Sequence, residues 1–204
     1  MKNAPCAVRG RPVKNVKNSP LQTTPDQPRG DPQIFLVFGP SGSGKSTLAR
    51  KLAAKLPRCA HIEVDALRYM VAGGLVAWSG GTSPALEPDE YARQCGLGMA
   101  NAALLAANFF AHGFSSVIEG LEDECRPGRE WAASVLPNIP CRSIVVLCDG
   151  EVLRQRLEER GWKMSPDKLA ELAWYRANAA LFDFTVDTTA TAPDAAVEML
   201  ISKI

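Results

Sequence analysis

The sequence predicts an α/β fold, a five-stranded parallel sheet with helices on both faces. Short apolar runs alternate with stretches of helical spacing, the pattern of strand–helix–strand crossovers that close right-handed onto a parallel sheet. The first run, QIFLVF at 33–38, is continuously apolar, as a strand buried on both faces requires.

After that run the chain breaks at glycine, and KSTLARKLAAKL (45–56) puts Leu48, Leu52 and Leu56 on one helical face before Pro57 ends it. HIEV (61–64) alternates apolar with polar and reads as a second strand. Leu67 and Met70, three apart, then imply a helix, with Asp65 at the strand's carboxyl end and Arg68 on the next turn. A glycine-rich stretch, 72–84, precedes a long helix that starts near Pro88 and Asp89 and stops at Gly113. Tyr91, Cys95, Met99, Ala102, Ala106 and Phe109 share one of its faces. SSVIEG (115–120), SIVVLC (143–148) and FTVD (184–187) are the third, fourth and fifth strands. Helices near 127–136, 150–160, 166–181 and 193–203 fill the intervals.

A chain of 204 residues, 46% hydrophobic, is long enough for one domain with a sizeable core. That domain is expected over 33–204. Residues 1–32 differ: six Lys or Arg face two acids there, against 17 bases and 20 acids in the remainder. Rich in proline and poor in large apolar residues, this segment reads as a disordered basic extension. With a net charge of +1, no global field draws in nucleic acid or a membrane surface. No run approaches the roughly 18 apolar residues of a membrane span, and no secretory signal stands at the N-terminus. The six cysteines are scattered and form no C-x-x-C pair, which disfavours metal-ligand and disulfide frameworks. A cytoplasmic protein is expected.

Between the first strand and first helix stands GPSGSGKS, Gly39 to Ser46, matching G-x-x-x-x-G-K-[ST] in the strand–loop–helix setting that the motif needs. Chance would produce it in less than about 1% of chains this long, given average glycine usage. Gly39, Gly42 and Gly44 let the backbone curl so that N–H groups, those of Ser41 and Ser43 included, point at phosphate oxygens. The helix start adds its unpaired N–H groups and partial positive charge. Lys45 is expected on the β- and γ-phosphates, the Ser46 hydroxyl on Mg²⁺, and Thr47 on the α-phosphate. The expected fold class is the three-layer P-loop NTPase fold, with ATP, or another nucleoside triphosphate, and Mg²⁺ as cofactors.

A phosphate loop does not say what becomes of the nucleotide, and VDALR is informative here. In a parallel sheet the strands' carboxyl ends face one crevice, so Asp65 should share the loop's crevice, one strand over. A carboxylate there can accept and orient an acceptor hydroxyl for in-line attack on the γ-phosphorus. Aspartate is a weak base, so positioning is its larger contribution. Arg68 can hold the acceptor or balance charge on the transferring group.

With FGPSGSGKST, VDALR, VVLCDGEVLRQRLEERG and FTVDTT, the chain resembles the small P-loop kinases over about residues 33–204, above all the chloramphenicol phosphotransferase-like group. The Asp65-x-x-Arg68 pair is more similar to polynucleotide 5′-hydroxyl kinases, and adenylylsulfate kinases carry a similar pair. The resemblance implies a nucleoside-monophosphate-kinase-like architecture with a substrate-binding segment at about 72–112 and a lid at about 154–170. It implies that Asp65 is the catalytic acid/base, and that Arg156 and Arg160, four apart on one helical face, form a lid over the nucleotide. It also implies an acid near Mg²⁺ at the end of the third strand, where this chain has Glu119 followed by Gly120. Glu122, Asp123 and Arg126 follow on a loop that could face substrate; Asp187 to Thr189 would border the adenine pocket; Trp78 offers a flat face to an acceptor. His61 and His112 read as unremarkable.

The expected activity is phosphoryl transfer from ATP to a hydroxyl of a small molecule, an antibiotic or a metabolite. A polynucleotide 5′-hydroxyl acceptor is the first alternative, disfavoured by the acidic domain and the lack of an interleaved basic and aromatic groove. A non-catalytic nucleotide-binding regulator is the second. Oligomeric state is not legible in the sequence.

Overall fold

In the computed structural model, which describes residues 31–76, 88–120, 134 and 136–204, the first apolar run forms β1 (Ile34–Phe38), with every residue at most 2% exposed. Burial on both faces demands a helical layer on each side. Ile34, Leu36 and Phe38 point into one core with Ile62, Ala102, Ala106, Leu153 and Leu157. Phe35 and Val37 point into the other with Leu48, Leu52, Val117, Ile144, Val197 and Leu200. The strand's alternation thus separates two cores and makes three layers.

Along the chain, α1 (Lys45–Lys55), β2 (Cys59–Glu63), α2 (Val64–Arg68), α3 (Pro88–Ala111), β3 (Ser115–Glu119) and β4 (Cys141–Leu147) follow β1. After them come α4 (Gly150–Glu159), α5 (Pro166–Ala177), a 3₁₀ turn (Ala179–Leu181), β5 (Phe184–Asp187) and α6 (Pro193–Ile201). All pairings are parallel, in the order β2-β3-β1-β4-β5. The carboxyl ends of all five strands therefore open on one edge.

This order corrects one expectation. β3 lies between β1 and β2, so Asp65 is two strands from the phosphate loop, not one, and Glu119 stands between them. Boundaries also shift. β2 starts at Cys59 and ends at Glu63; Val64 and Asp65 already belong to α2. β4 begins at Cys141, and the helix expected over 166–181 breaks at Asn178 into the 3₁₀ turn. The 127–136 helix falls almost wholly outside the described residues, as do Trp78, Glu122, Asp123, Arg126 and nearly all of the 1–32 extension. Among the described residues no helix is long and apolar enough to cross a membrane.

Candidate active site

The phosphate loop leaves β1 at Gly39, whose φ of 134° lies in the region closed to side chains. A Cβ there would stand 2.2 Å from the Val146 carbonyl oxygen of β4, so only glycine fits. At the far end Gly44, at φ 103°, caps α1 with no side-chain hydrogen bond, leaving the first N–H groups of the helix for an anion. The Lys45 ammonium donates to the Gly39 and Pro40 carbonyls at 2.6 and 3.0 Å, which folds it back over the loop. Thr47 is exposed on the first turn.

The loop is held from behind by its own partners. Ser43, wholly buried, presents its carbonyl to the Thr188 hydroxyl at 2.7 Å and to Arg156 Nη1 at 3.3 Å. Arg156 also donates to Thr188 Oγ1 at 3.0 Å and to the Thr188 carbonyl at 2.9 Å. Gly42 packs on Leu153 and Leu157 of α4; a Cβ there would meet Leu153 Cδ1 at 3.0 Å. The loop shape is thus tied to α4 and to the end of β5.

At the end of β3, Glu119 is 3% exposed and accepts from the Ser46 hydroxyl at 2.9 Å. Its second oxygen, Oε1, is buried without a hydrogen bond, 3.7 Å from His61 Nε2, which is equally unsatisfied. Burial pushes this carboxyl up, but His61, the Ser46 hydroxyl and the Lys45 charge outweigh it, and Glu119 stays below the ordinary glutamate range. An ionised carboxylate bonded to the Ser46 hydroxyl, with its other oxygen unsatisfied by any hydrogen bond, suits a hydrated divalent cation. Mg²⁺ takes one or two protein oxygens and otherwise water and phosphate. No cluster of three or more His, Cys, Asp or Glu occurs among the described residues, so a cage made wholly of protein ligands is absent there.

Farther along the same edge, Asp65 sits in the first turn of α2 with its side chain 47% exposed. Arg68 is the opposite: 4% of its side chain is exposed. Its guanidinium faces Asp65 Oδ1 and the Tyr69 hydroxyl at 3.5 Å, donates to the Val76 carbonyl at 3.3 Å, and lies 5.0 and 5.1 Å from the Tyr69 and Tyr91 ring centres. A small cavity here is lined by Val64, Asp65, Arg68, Cys95, Met99 and Gly120. Arg68, expected to hold the acceptor or to balance charge on the transferring group, is thus buried in this wall beside Asp65.

The lid residues separate. Arg156 is bound beneath the loop as described, while Arg160 follows the last residue of α4 and is exposed. Arg154 pairs with Glu151 and Glu158 on the outer face. Besides Arg156, Lys168 of α5 touches the loop, its ammonium 3.3 Å from Ser41 Oγ and 2.9 Å from Glu171 Oε2. Asp187 and Thr189 close a turn, with Thr189 N–H donating to Asp187 Oδ1 at 2.7 Å; the Thr189 hydroxyl and then its N–H hold the Asp187 carboxyl low.

A family model described as an AAA domain matches residues 34–182, the span from β1 to the residue before Asp183. The chain belongs to this AAA-domain family. Among solved structures, a "putative kinase" from Chloroflexus aurantiacus is similar at 23% identity and a TM-score of 0.59, covering 85% of this chain and 96% of that one. An uncharacterised protein from Eubacterium ventriosum is similar at 15% identity and a TM-score of 0.52, over 85% and 98%. A chain of the Pnkp1/Rnl/Hen1 RNA repair complex is similar at 17% identity and a TM-score of 0.56, with 79% of this chain matching 50% of that one. The search of curated proteins finds no match. The fold of this AAA-domain protein is that of the P-loop kinases.

Sequence reasoning missed three residues of this AAA-domain site. His61 passed as an ordinary strand residue, yet its Nε2 faces Glu119. Lys168 lies within the lid range, but its charge is no more conspicuous in sequence than those of its neighbours. Gln94, one of the few buried polar residues, has its only signal in position: it falls beside Tyr91 and Cys95 on the inward face of α3.

Proposed function

We propose that this AAA-domain protein transfers the γ-phosphoryl group of ATP to a hydroxyl of a small molecule, with Mg²⁺ as cofactor. The observation that carries the reading is the half-exposed Asp65 carboxylate beside a buried arginine, on the same strand-end edge as the phosphate loop. A regulator that binds nucleotide without transferring phosphate has no use for such a carboxylate there.

The loop N–H groups and Lys45 bind the phosphates, Lys45 exchanging its carbonyl partners for β- and γ-oxygens. Ser46 and Glu119 would hold Mg²⁺ and its waters; bound there, the ion neutralises charge on the β- and γ-oxygens. Asp65 accepts the acceptor's hydroxyl proton and aligns its oxygen with the γ-phosphorus. Lys168 touches the loop at Ser41, where a cation offsets charge on the transferring phosphoryl group.

A polynucleotide 5′-hydroxyl is the second acceptor class, favoured by the Asp65–Arg68 pair and by the fold's likeness to a chain of an RNA repair complex. Incubation with γ-labelled ATP, Mg²⁺ and a mixed acceptor panel tests both. The panel holds hydroxylated antibiotics, sugars, nucleosides, adenylylsulfate and a 5′-hydroxyl oligonucleotide, with products read by mass. Label on one small molecule is expected. Label on the oligonucleotide alone replaces the acceptor class, and bound ATP with no labelled acceptor favours a regulator.

A further inference from the structure

Gln94 is 5% exposed on the inward face of α3, where an apolar residue would be ordinary. A buried amide is costly unless bonded, and this one is bonded at both ends. Its Nε2 donates to the Gly74 carbonyl at 2.8 Å and to Glu90 Oε1 at 2.9 Å, and its Oε1 accepts from the Val76 N–H at 2.9 Å. One side chain thus fastens the backbone of the glycine-containing turn, at two residues, to α3.

Val76 is also held from its other side. Its carbonyl accepts from Arg68 Nη1, while Nη2 of the same guanidinium faces Asp65. A guanidinium is planar and rigid, so its two Nη atoms cannot move independently. Nε is buried without a hydrogen bond, so the plane takes its orientation from the Nη contacts and from the Tyr69 and Tyr91 rings. Displacing Val76 turns the plane and moves Nη2 relative to the carboxylate. Gln94, Val76, Arg68 and Asp65 form one mechanical series.

We propose that Gln94 is a positioning residue: by fixing Gly74 and Val76 it sets the Arg68 guanidinium, and through it the direction in which Asp65 presents its carboxylate to the acceptor hydroxyl. The proposal rests on the reading of Asp65 given above. It assigns Gln94 no contact with substrate or nucleotide.

The test compares wild type, Gln94→Met, Arg68→Lys and the double variant by amide exchange over residues 71–76 and by steady-state transfer to whichever panel acceptor the wild type labels. Gln94→Met is expected to raise exchange over 71–76 about tenfold. It should lower kcat between about ten- and a hundredfold, with acceptor KM and ATP affinity changed less than about threefold. The double variant should be no worse than the more severe single one, because both act through Val76. Gln94→Asn keeps an amide donor and an amide acceptor one methylene short of the Gly74 carbonyl and the Val76 N–H, and is expected to recover part of the lost kcat and of the protection over 71–76. This variant also serves if Gln94→Met fails to melt cooperatively, since it buries the same polar group. Additive losses, unchanged exchange, or an effect confined to KM would each overturn the series. If the wild type labels nothing in the panel, the functional reading fails, and additivity of exchange alone decides the clamp.

Discussion

The Ser46 hydroxyl donates to Glu119 Oε2 at 2.9 Å, joining the start of α1 to the last residue of β3 across the strand-end edge. The second Glu119 oxygen is buried without a hydrogen bond, 3.7 Å from His61 Nε2. Replacing Glu119 by Gln keeps the shape and removes the charge. The Mg²⁺ concentration giving half-maximal transfer is expected to rise between about ten- and a hundredfold, the usual cost of losing a group that orients a metal's ligands. A titration of labelled transfer against Mg²⁺ checks this; an unchanged midpoint removes Glu119 from the metal site.

Glu119 also makes stability depend on pH. Its carboxyl is held below the ordinary 4.5 in the folded protein, so the unfolded chain takes up the proton first. The stabilisation is complete above 4.5 and is lost as pH falls through the lower, folded value. Urea midpoints of wild type and Glu119→Gln should keep a constant offset from neutral pH down to about pH 5. Below that the wild type should lose ground to the variant; parallel profiles down to strong acid would contradict it.

Asp65→Asn removes the carboxylate and leaves the side chain's size. If Asp65 accepts the hydroxyl proton, transfer falls about 10²–10⁴-fold while ATP affinity is kept. Single-turnover label transfer beside calorimetric ATP binding separates the two quantities. Full transfer by the variant would end the catalytic assignment.

Thr188 is 8% exposed, and its hydroxyl donates to the Ser43 carbonyl while accepting from Arg156. Thr188→Val leaves that carbonyl with Arg156 Nη1 alone, at 3.3 Å. The expected loss is about 1–3 kcal/mol in chemical denaturation, together with weaker ATP binding as the loop relaxes. Thr188→Ser keeps the hydroxyl and should recover most of both. Weakened binding with undiminished stability would show that the hydroxyl meets the nucleotide instead of the loop.

The strands and the phosphate loop were legible in sequence because their signals are local. A doubly buried strand such as β1 must be continuously apolar, and a loop that wraps phosphate must place glycine where φ turns positive, as at Gly39, Gly42 and Gly44. Asp65 and Arg68 were legible as a pair for the same reason, being three residues apart on one turn. Their environments were not. Whether Arg68 reaches outward or lies between two tyrosines depends on Tyr91, brought from α3.

By itself, then, the sequence determined the α/β class, the alternation of elements, and the loop that begins at Gly39. Tertiary structure alone decided the strand order that inserts Glu119 between loop and Asp65, the burial of Arg68, the anchoring of Arg156 under the loop, and the clamp at Gln94. The physical reason is distance along the chain. Ser46 and Glu119 meet across 73 residues, and Ser43 and Thr188 across 145. Such contacts exist only once parallel strands have paired in one order, and the spacing of residues within a single element does not encode which order that is.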